Sequence, residues 1–176
     1  MNIKRLLRIS DLMSEEFDKL MKQGFQLMGE GEYQSALSKF DKAIKADPKN
    51  AEAYLAKADA AVLVPKVSQE EIEELYKKAI ELQSDNPFMY QSYAAFCMDV
   101  GKFNEAENSY NKAAELDPES APYYYSEFGV EYSKKAPVVF EQHLDDKTRE
   151  IISKKALKYL LKSINLDEAA AKKLLQ

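Results

Sequence analysis

The residues able to do covalent or acid–base chemistry in this sequence are one thiol, Cys97, one imidazole, His143, and a surplus of carboxylates. A thiol acts as a nucleophile only when a base or cation beside it favours the thiolate. Cys97 lies at a packing position in the apolar run Tyr93-Ala94-Ala95-Phe96-Cys97-Met98 and reads as an inert core thiol. His143, 46 residues farther along, reads as a solvated loop side chain. One Cys and one His also exclude an internal disulfide and any His/Cys metal set. Glu70, Glu71, Glu73 and Glu74 form a dense acidic run, but like charges along a helix are the pattern of a solvated face. The five glycines are isolated, so no glycine-rich loop can wrap a phosphate. Tyr123, Tyr124 and Tyr125 are not interleaved with cations, as a base-stacking platform would require. The sequence therefore predicts no enzyme activity, no catalytic residue, no metal and no cofactor.

Recognition remains, and composition limits what can be recognised. Twenty-five Lys and Arg against 30 Asp and Glu give a net charge of −5, which disfavours nucleic acid, whose binding draws on cationic neutralisation of phosphates. No stretch approaches the roughly 18 apolar residues of a membrane span, and residues 1–10 lack the continuous apolar core of a secretory signal, so the expected location is cytoplasmic. With 45% apolar residues, a chain of 176 can bury one core or a short array of repeats.

The elements that must carry any binding surface show themselves as a period. Asp47-Pro48 and Asp117-Pro118, 70 residues apart, each close a helical run of spacing 4 and 3: Ala36, Phe40, Ala43 and Ala106, Tyr110, Ala113. Ile72, Tyr76 and Ala79 supply the same spacing midway, so the period is near 34. A second helix precedes each run, marked by Leu20, Gly24, Leu27, then Tyr54, Ala58, Ala61, then Tyr90, Ala94, Cys97. On these residues the sequence resembles the tetratricopeptide repeat family, whose 34-residue unit is a pair of antiparallel helices. The resemblance implies an all-α, right-handed superhelical solenoid of about four such pairs with extra N- and C-terminal helices. Small residues such as Gly24 and Ala36 let paired helices approach near the lower end of the usual 8–10 Å. Gly31 and Gly101 are placed to end first helices in the left-handed conformation.

The expected organisation is an amphipathic N-terminal helix over 1–13, repeats over 14–50, 51–86, 87–121 and 122–166, and a C-terminal capping helix over 167–176. Ser14, followed by Glu15 and Glu16, reads as the cap that separates the N-terminal helix from the first repeat. That basic segment caps the array, docks in a groove, its own or a neighbour's, or acts as a membrane-surface or presequence helix. The second repeat has a turn two residues longer than usual, with Pro65 ending one helix and Ser68 to Glu71 forming a capping box for the next. The fourth carries about 15 extra residues near 133–147, read as extra turns packed over the last repeat or as a partner-contacting lid, with Asp145 and Asp146 capping a lengthened second helix.

The resemblance places ligands on the concave wall built from the first helices. The wall positions read Asp18, Met21, Phe25 and Met28, then Glu52, Leu55, Asp59 and Val62, then Phe88, Gln91 and Met98, and Tyr123. Family members that clamp the C-terminal carboxylate of cytosolic heat-shock chaperones do so with Lys, Asn and Arg; this chain has Met21, Phe25, Ala56, Phe88 and Ser92 at those positions, so that activity is not implied. The predicted function is a non-catalytic adaptor or scaffold that binds a protein or peptide, apolar with basic flanks, on a methionine-rich, acid-edged groove. The alternative is a self-associating, homodimeric module of the kind that secretion chaperones of similar build form.

Overall fold

The computed structural model describes the backbone of residues 3–174 and the side chains of residues 14–174. Among the described residues there are nine α-helices and a single 3₁₀ turn, without a strand: α1 Ile3–Gly29, α2 Tyr33–Ala46, α3 Ala51–Val62, α4 Gln69–Leu82, α5 Pro87–Asp99, α6 Phe103–Leu116, α7 Ala121–Val139, α8 Asp146–Ser163 and α9 Glu168–Leu174. The chain divides into two compact units, Met1–Ser84 and Asp85–Gln176. In the first, α1 pairs with α2 and α3 with α4, while α3 also packs on α2 and touches α1. In the second, α5 pairs with α6 and α7 with α8, α7 also packs on α6 and touches α5, and α9 meets α8.

Local chemistry sets the boundaries. The side chains of Asn50 and Asn86 cap α3 and α5 by accepting from Ala53 N and Phe88 N at 3.2 and 3.0 Å. The capping box expected for α4 is present, with Glu71 N donating to Ser68 Oγ and Ser68 N to Glu71 Oε2. Asp145 caps α8 by accepting from Thr148 N at 2.7 Å. Gly31 and Gly101 take φ of 79° and 76°, and the following N–H of Glu32 and of Lys102 reaches back to Leu27 O and Cys97 O, closing α1 and α5 in the left-handed manner expected of them. Asn165, at φ 57°, closes α8 in the same way, with Leu166 N on Leu161 O.

Helix pairing follows the small-residue frame. Ala36, Ala43, Ala58, Ala94, Ala106 and Ala113 have no measurable exposure. A Cβ at Gly24 would lie 2.7 Å from Phe40 Cζ, and one at Gly129 would lie 3.1 Å from the Ala156 carbonyl and 3.0 Å from Leu160 Cγ. Gly129 thus faces Ala156 across the insertion that separates them in the sequence.

Three expectations are corrected. The separate N-terminal helix over 1–13 does not form: α1 runs unbroken from Ile3, and Ser14 lies inside it, because a stretch without Gly or Pro gives the helix no reason to stop. The chain therefore does not reverse at residues 10–14 to lay that segment across α1; its side chains lie outside the described residues. The insertion is in large part a lengthening of α7 to Val139, straight through Pro137. Its tip packs on the third repeat, with Phe140 tilted on Phe103 at 5.8 Å and Val139 close to Gly101. The C-terminal helix α9 has no buried residue and covers little of the end it was expected to cap.

Two polar networks sit within the packing. Tyr76 donates to Asp59 Oδ1 at 2.7 Å across the α3–α4 pair, and burial raises the Asp59 carboxyl above its usual range despite that bond. In the second unit Tyr159 donates to Glu107 at 2.8 Å, Asn111 donates to the Tyr159 oxygen at 2.9 Å, and Lys155 binds Glu107 at 2.5 Å. Burial alone would raise the Glu107 carboxyl; the bonds from Lys155 and Tyr159 outweigh it and hold the group low.

Gly24→Ala and Gly29→Ala should move stability in opposite directions. Alanine gains about 1 kcal/mol of helix propensity over glycine. At Gly29 nothing lies within 4 Å of the added methyl, so the gain stands. At Gly24 the methyl must displace the Phe40 ring, an overpacking that costs about 1–3 kcal/mol and reverses the sign. Urea titration of the two variants checks this; a stabilised Gly24→Ala would contradict the close approach. Asp59→Asn should be more stable than the parent at pH 7 and lose that advantage on acidification. The folded carboxyl titrates above its unfolded counterpart, so the parent bears the buried charge only above its raised pKa, and below the unfolded value of about 3.9 both carboxyls are neutral. Melting temperatures of both chains from pH 3 to 7 read the crossing.

Candidate functional site

The first helices of the repeats are α1 and α3 in one unit and α5 and α7 in the other, and each pair offers a face. On the first unit Asp18 and Glu52 are exposed, Phe25 is 46% and Val62 41% exposed, and Met28 is half-buried. Phe25 stands edge-on to Phe40 at 5.4 Å, so its ring is fixed from below while its outer edge is open. Asp59 is half-buried and engaged by Tyr76, so it supplies little free charge to this face.

The expected methionine stripe does not exist as a surface. Met21 and Met98 are 6% and 1% exposed, and Leu55 is 4% exposed. First helices touch each other as well as their partners, α1 on α3 and α5 on α7, and each of these three residues directly follows a pair position, Leu20, Tyr54 or Cys97. Leu55→Glu would therefore charge the core rather than the wall.

The face of the second unit is better defined. Phe88 and Tyr123 are 55% and 57% exposed. Gln91, one turn after Phe88 on α5, donates from Nε2 to Glu127 Oε2 at 3.1 Å and to the Tyr123 hydroxyl at 3.5 Å, tying α5 to α7. Tyr110, buried beneath, hydrogen-bonds the same Glu127; burial first and then that carboxylate push its phenol far up. At the other end of the two helices Lys135 of α7 holds Asp99 of α5 at 2.5 Å and Glu131 at 3.1 Å. Burial alone would lower the Lys135 ammonium; its bonds to Asp99 and Glu131 outweigh that and raise it. Three carboxylates, Asp99, Glu127 and Glu131, meet two ammonium groups here, Lys135 and Lys134, the latter 3.0 Å from Glu131, so the named groups sum to one negative charge.

Glu127, Glu131 and Lys135 were not singled out in the sequence. The signal for Glu127 was its place four residues after the wall position Tyr123, on the same face of a helix. Cys97 is fully buried, and His143 is exposed in the 3₁₀ turn between α7 and α8. Among the described residues no group of three or more His, Cys, Asp or Glu is gathered to hold a metal ion. No described helix is long and apolar enough to cross a membrane.

Comparison with known proteins bears on the repeat and the fold. Residues 89–120 match the model of the tetratricopeptide repeat. Comparison with curated proteins gives no match. Among solved structures, MamA aligns at 20% identity with a TM-score of 0.65, covering 96% of this chain and 86% of its own. MamA from Desulfovibrio magneticus RS-1 aligns at 19% identity and TM-score 0.63, covering 85% of this chain and 75% of its own. The second tetratricopeptide domain of human RPAP3, in complex with the HSP70 peptide SGPTIEEVD, aligns at 24% identity and TM-score 0.57, covering 66% of this chain and 97% of its own. Residues 89–120 are thus a tetratricopeptide repeat, and the chain has the all-α fold of tetratricopeptide-repeat solenoids.

Proposed function

We propose that the chain is a non-catalytic adaptor that binds a peptide or amphipathic helix of a partner protein on the first-helix faces of its repeats. The observation that carries this reading is the α5–α7 face, where two exposed aromatic rings, Phe88 and Tyr123, flank a polar bridge from Gln91 to Glu127. Exposed aromatics held on rigid helices bind with little loss of side-chain freedom, and the polar bridge beside them fixes orientation. The carboxylates of the same face favour a ligand with basic flanks, as does the acidic edge of Asp18 and Glu52 beside Phe25 and Val62 on the first unit.

Peptide binding by the RPAP3 domain supports the class of ligand and not its identity. The apolar and acidic character of these faces makes an acidic C-terminal peptide a poor match.

Phe88→Ala with Tyr123→Ala should leave the helix content and melting temperature nearly unchanged, since both rings are more than half exposed, and should weaken ligand capture by about tenfold or more. Affinity capture from native extract by the parent and by this double variant provides the comparison, followed by titration with the captured protein. Equal retention by the folded variant would remove the α5–α7 face from the function.

A further inference from the structure

In the first and third repeats the second helix presents one side to its own partner and another to the first helix that follows, α2 to α3 and α6 to α7. Leu37, directly after Ala36 on α2, is 6% exposed, on the helix that α3 packs against. Ala114, directly after Ala113 on α6, is 4% exposed, on the helix that α7 packs against. The equivalent residues of α8 are Leu157, directly after Ala156, and Ile164, directly after Ser163; they are 48% and 62% exposed. The side of α8 that a following helix would cover is therefore bare. Where the short α9 meets it a cleft of about 410 Å³ is left, lined by Leu161, Leu166, the lysine stems of α8 beside them, and Asp167 and Glu168.

The bare side is also cationic. The helix carries Lys147, Arg149, Lys154, Lys155, Lys158 and Lys162 against Asp146 and Glu150, in a chain whose net charge is −5. Two of these lysines serve the fold: Lys155 binds Glu107, and Lys162 lies 4.1 Å from the centre of the Tyr125 ring. Lys147, Lys154 and Lys158 recur at spacings of 7 and 4, which places them in one row along the helix beside the stripe of Leu157, Leu161 and Ile164. Lys154 pairs with Glu150 of its own helix, both side chains being well exposed, and Glu168 of α9 also acts on its charge; such exposed pairs are readily exchanged for another partner.

We propose that this side of α8 is a docking face for an amphipathic helix of a partner protein whose apolar stripe is edged by Asp and Glu. The occupant is a helix because a helix fills the equivalent place on α2 and on α6. It is apolar along one line because Leu157 and Ile164 are bare, and acidic along the adjacent line because the lysine row runs there. This surface is distinct from the α5–α7 face and calls for a ligand of opposite charge.

The test uses the full chain and two labelled synthetic peptides as long as α8, each with leucines at helical spacing, one flanked by Glu and the other by Lys in the same positions. Fluorescence anisotropy should show binding of the Glu-flanked peptide alone, weakening as salt is raised. Lys154→Glu with Lys158→Glu, and separately Leu157→Asp, should each reduce it by about tenfold or more. Phe88→Ala with Tyr123→Ala should leave it unchanged, which separates this face from the one proposed above. All substituted α8 side chains are exposed, and circular dichroism checks that the variants fold. No binding, equal binding of both peptides, or binding indifferent to the α8 variants overturns the proposal. Two further results also overturn it by giving the face another occupant. One is adsorption to phosphatidylserine-containing vesicles, but not to phosphatidylcholine vesicles, that these variants abolish. The other is a dimer in sedimentation equilibrium that Leu157→Asp dissolves.

Discussion

Paired helices in this chain can pack as they do only where one of them has no side chain to spare. Gly24 lets the Phe40 ring lie against the α1 backbone, and Gly129 lets α8 bring the Ala156 carbonyl and Leu160 against α7. Alanines at the matching positions extend the close contact along each pair. Once the crossing is fixed at these points, α2, α3, α6 and α7 each have one side committed to a partner and a second to a neighbour, and what is left over is surface. The second repeat departs from the rule, with Ile72 buried where a small residue is expected. Its longer turn, from Leu63 to Ser68, joins α3 to α4.

Rigid apolar packing alone would leave the faces featureless, and buried polar bonds give them shape. Glu127 accepts from Gln91 while receiving the buried Tyr110 hydroxyl from below, so one carboxylate joins the core of the third repeat to the face of the fourth. Lys135 does the same at the far end of α5 and α7 by holding Asp99 and Glu131. With both ends of the two helices cross-linked, the exposed rings of Phe88 and Tyr123 stand on a fixed platform.

The repeat frame was legible in the sequence because it rests on residue size at fixed spacing, and size is what close helix crossing selects. Ala36, Phe40 and Ala43 carry the same instruction wherever they recur. Depth was less legible. Met21, Leu55 and Met98 occupy wall positions by count yet are covered, because burial depends on how a neighbouring first helix leans, and no local pattern encodes that. The break expected at Ser14 failed for a related reason: Ser followed by Glu reads as a cap only if the preceding backbone leaves the helix, and α1 continues through it. Glu127 was missed because an acidic residue one step off a wall position looks like solvated surface until its partner on another helix is known.

Linear arrays of helix pairs are held by nearest-neighbour contacts, so a terminal pair ordinarily frays ahead of the rest. The bond from Tyr159 to Glu107, the ion pair from Lys155 to the same carboxylate and the bond from Asn111 to Tyr159 tie α8 to α6, its second neighbour along the chain. Lys155 also lies over the Tyr132 ring of α7, so all three helices meet at one cluster. Opening α8 therefore strands a half-buried carboxylate on α6. The last two repeats are thus expected to open together, with amide protection running from the third repeat to the end of α8.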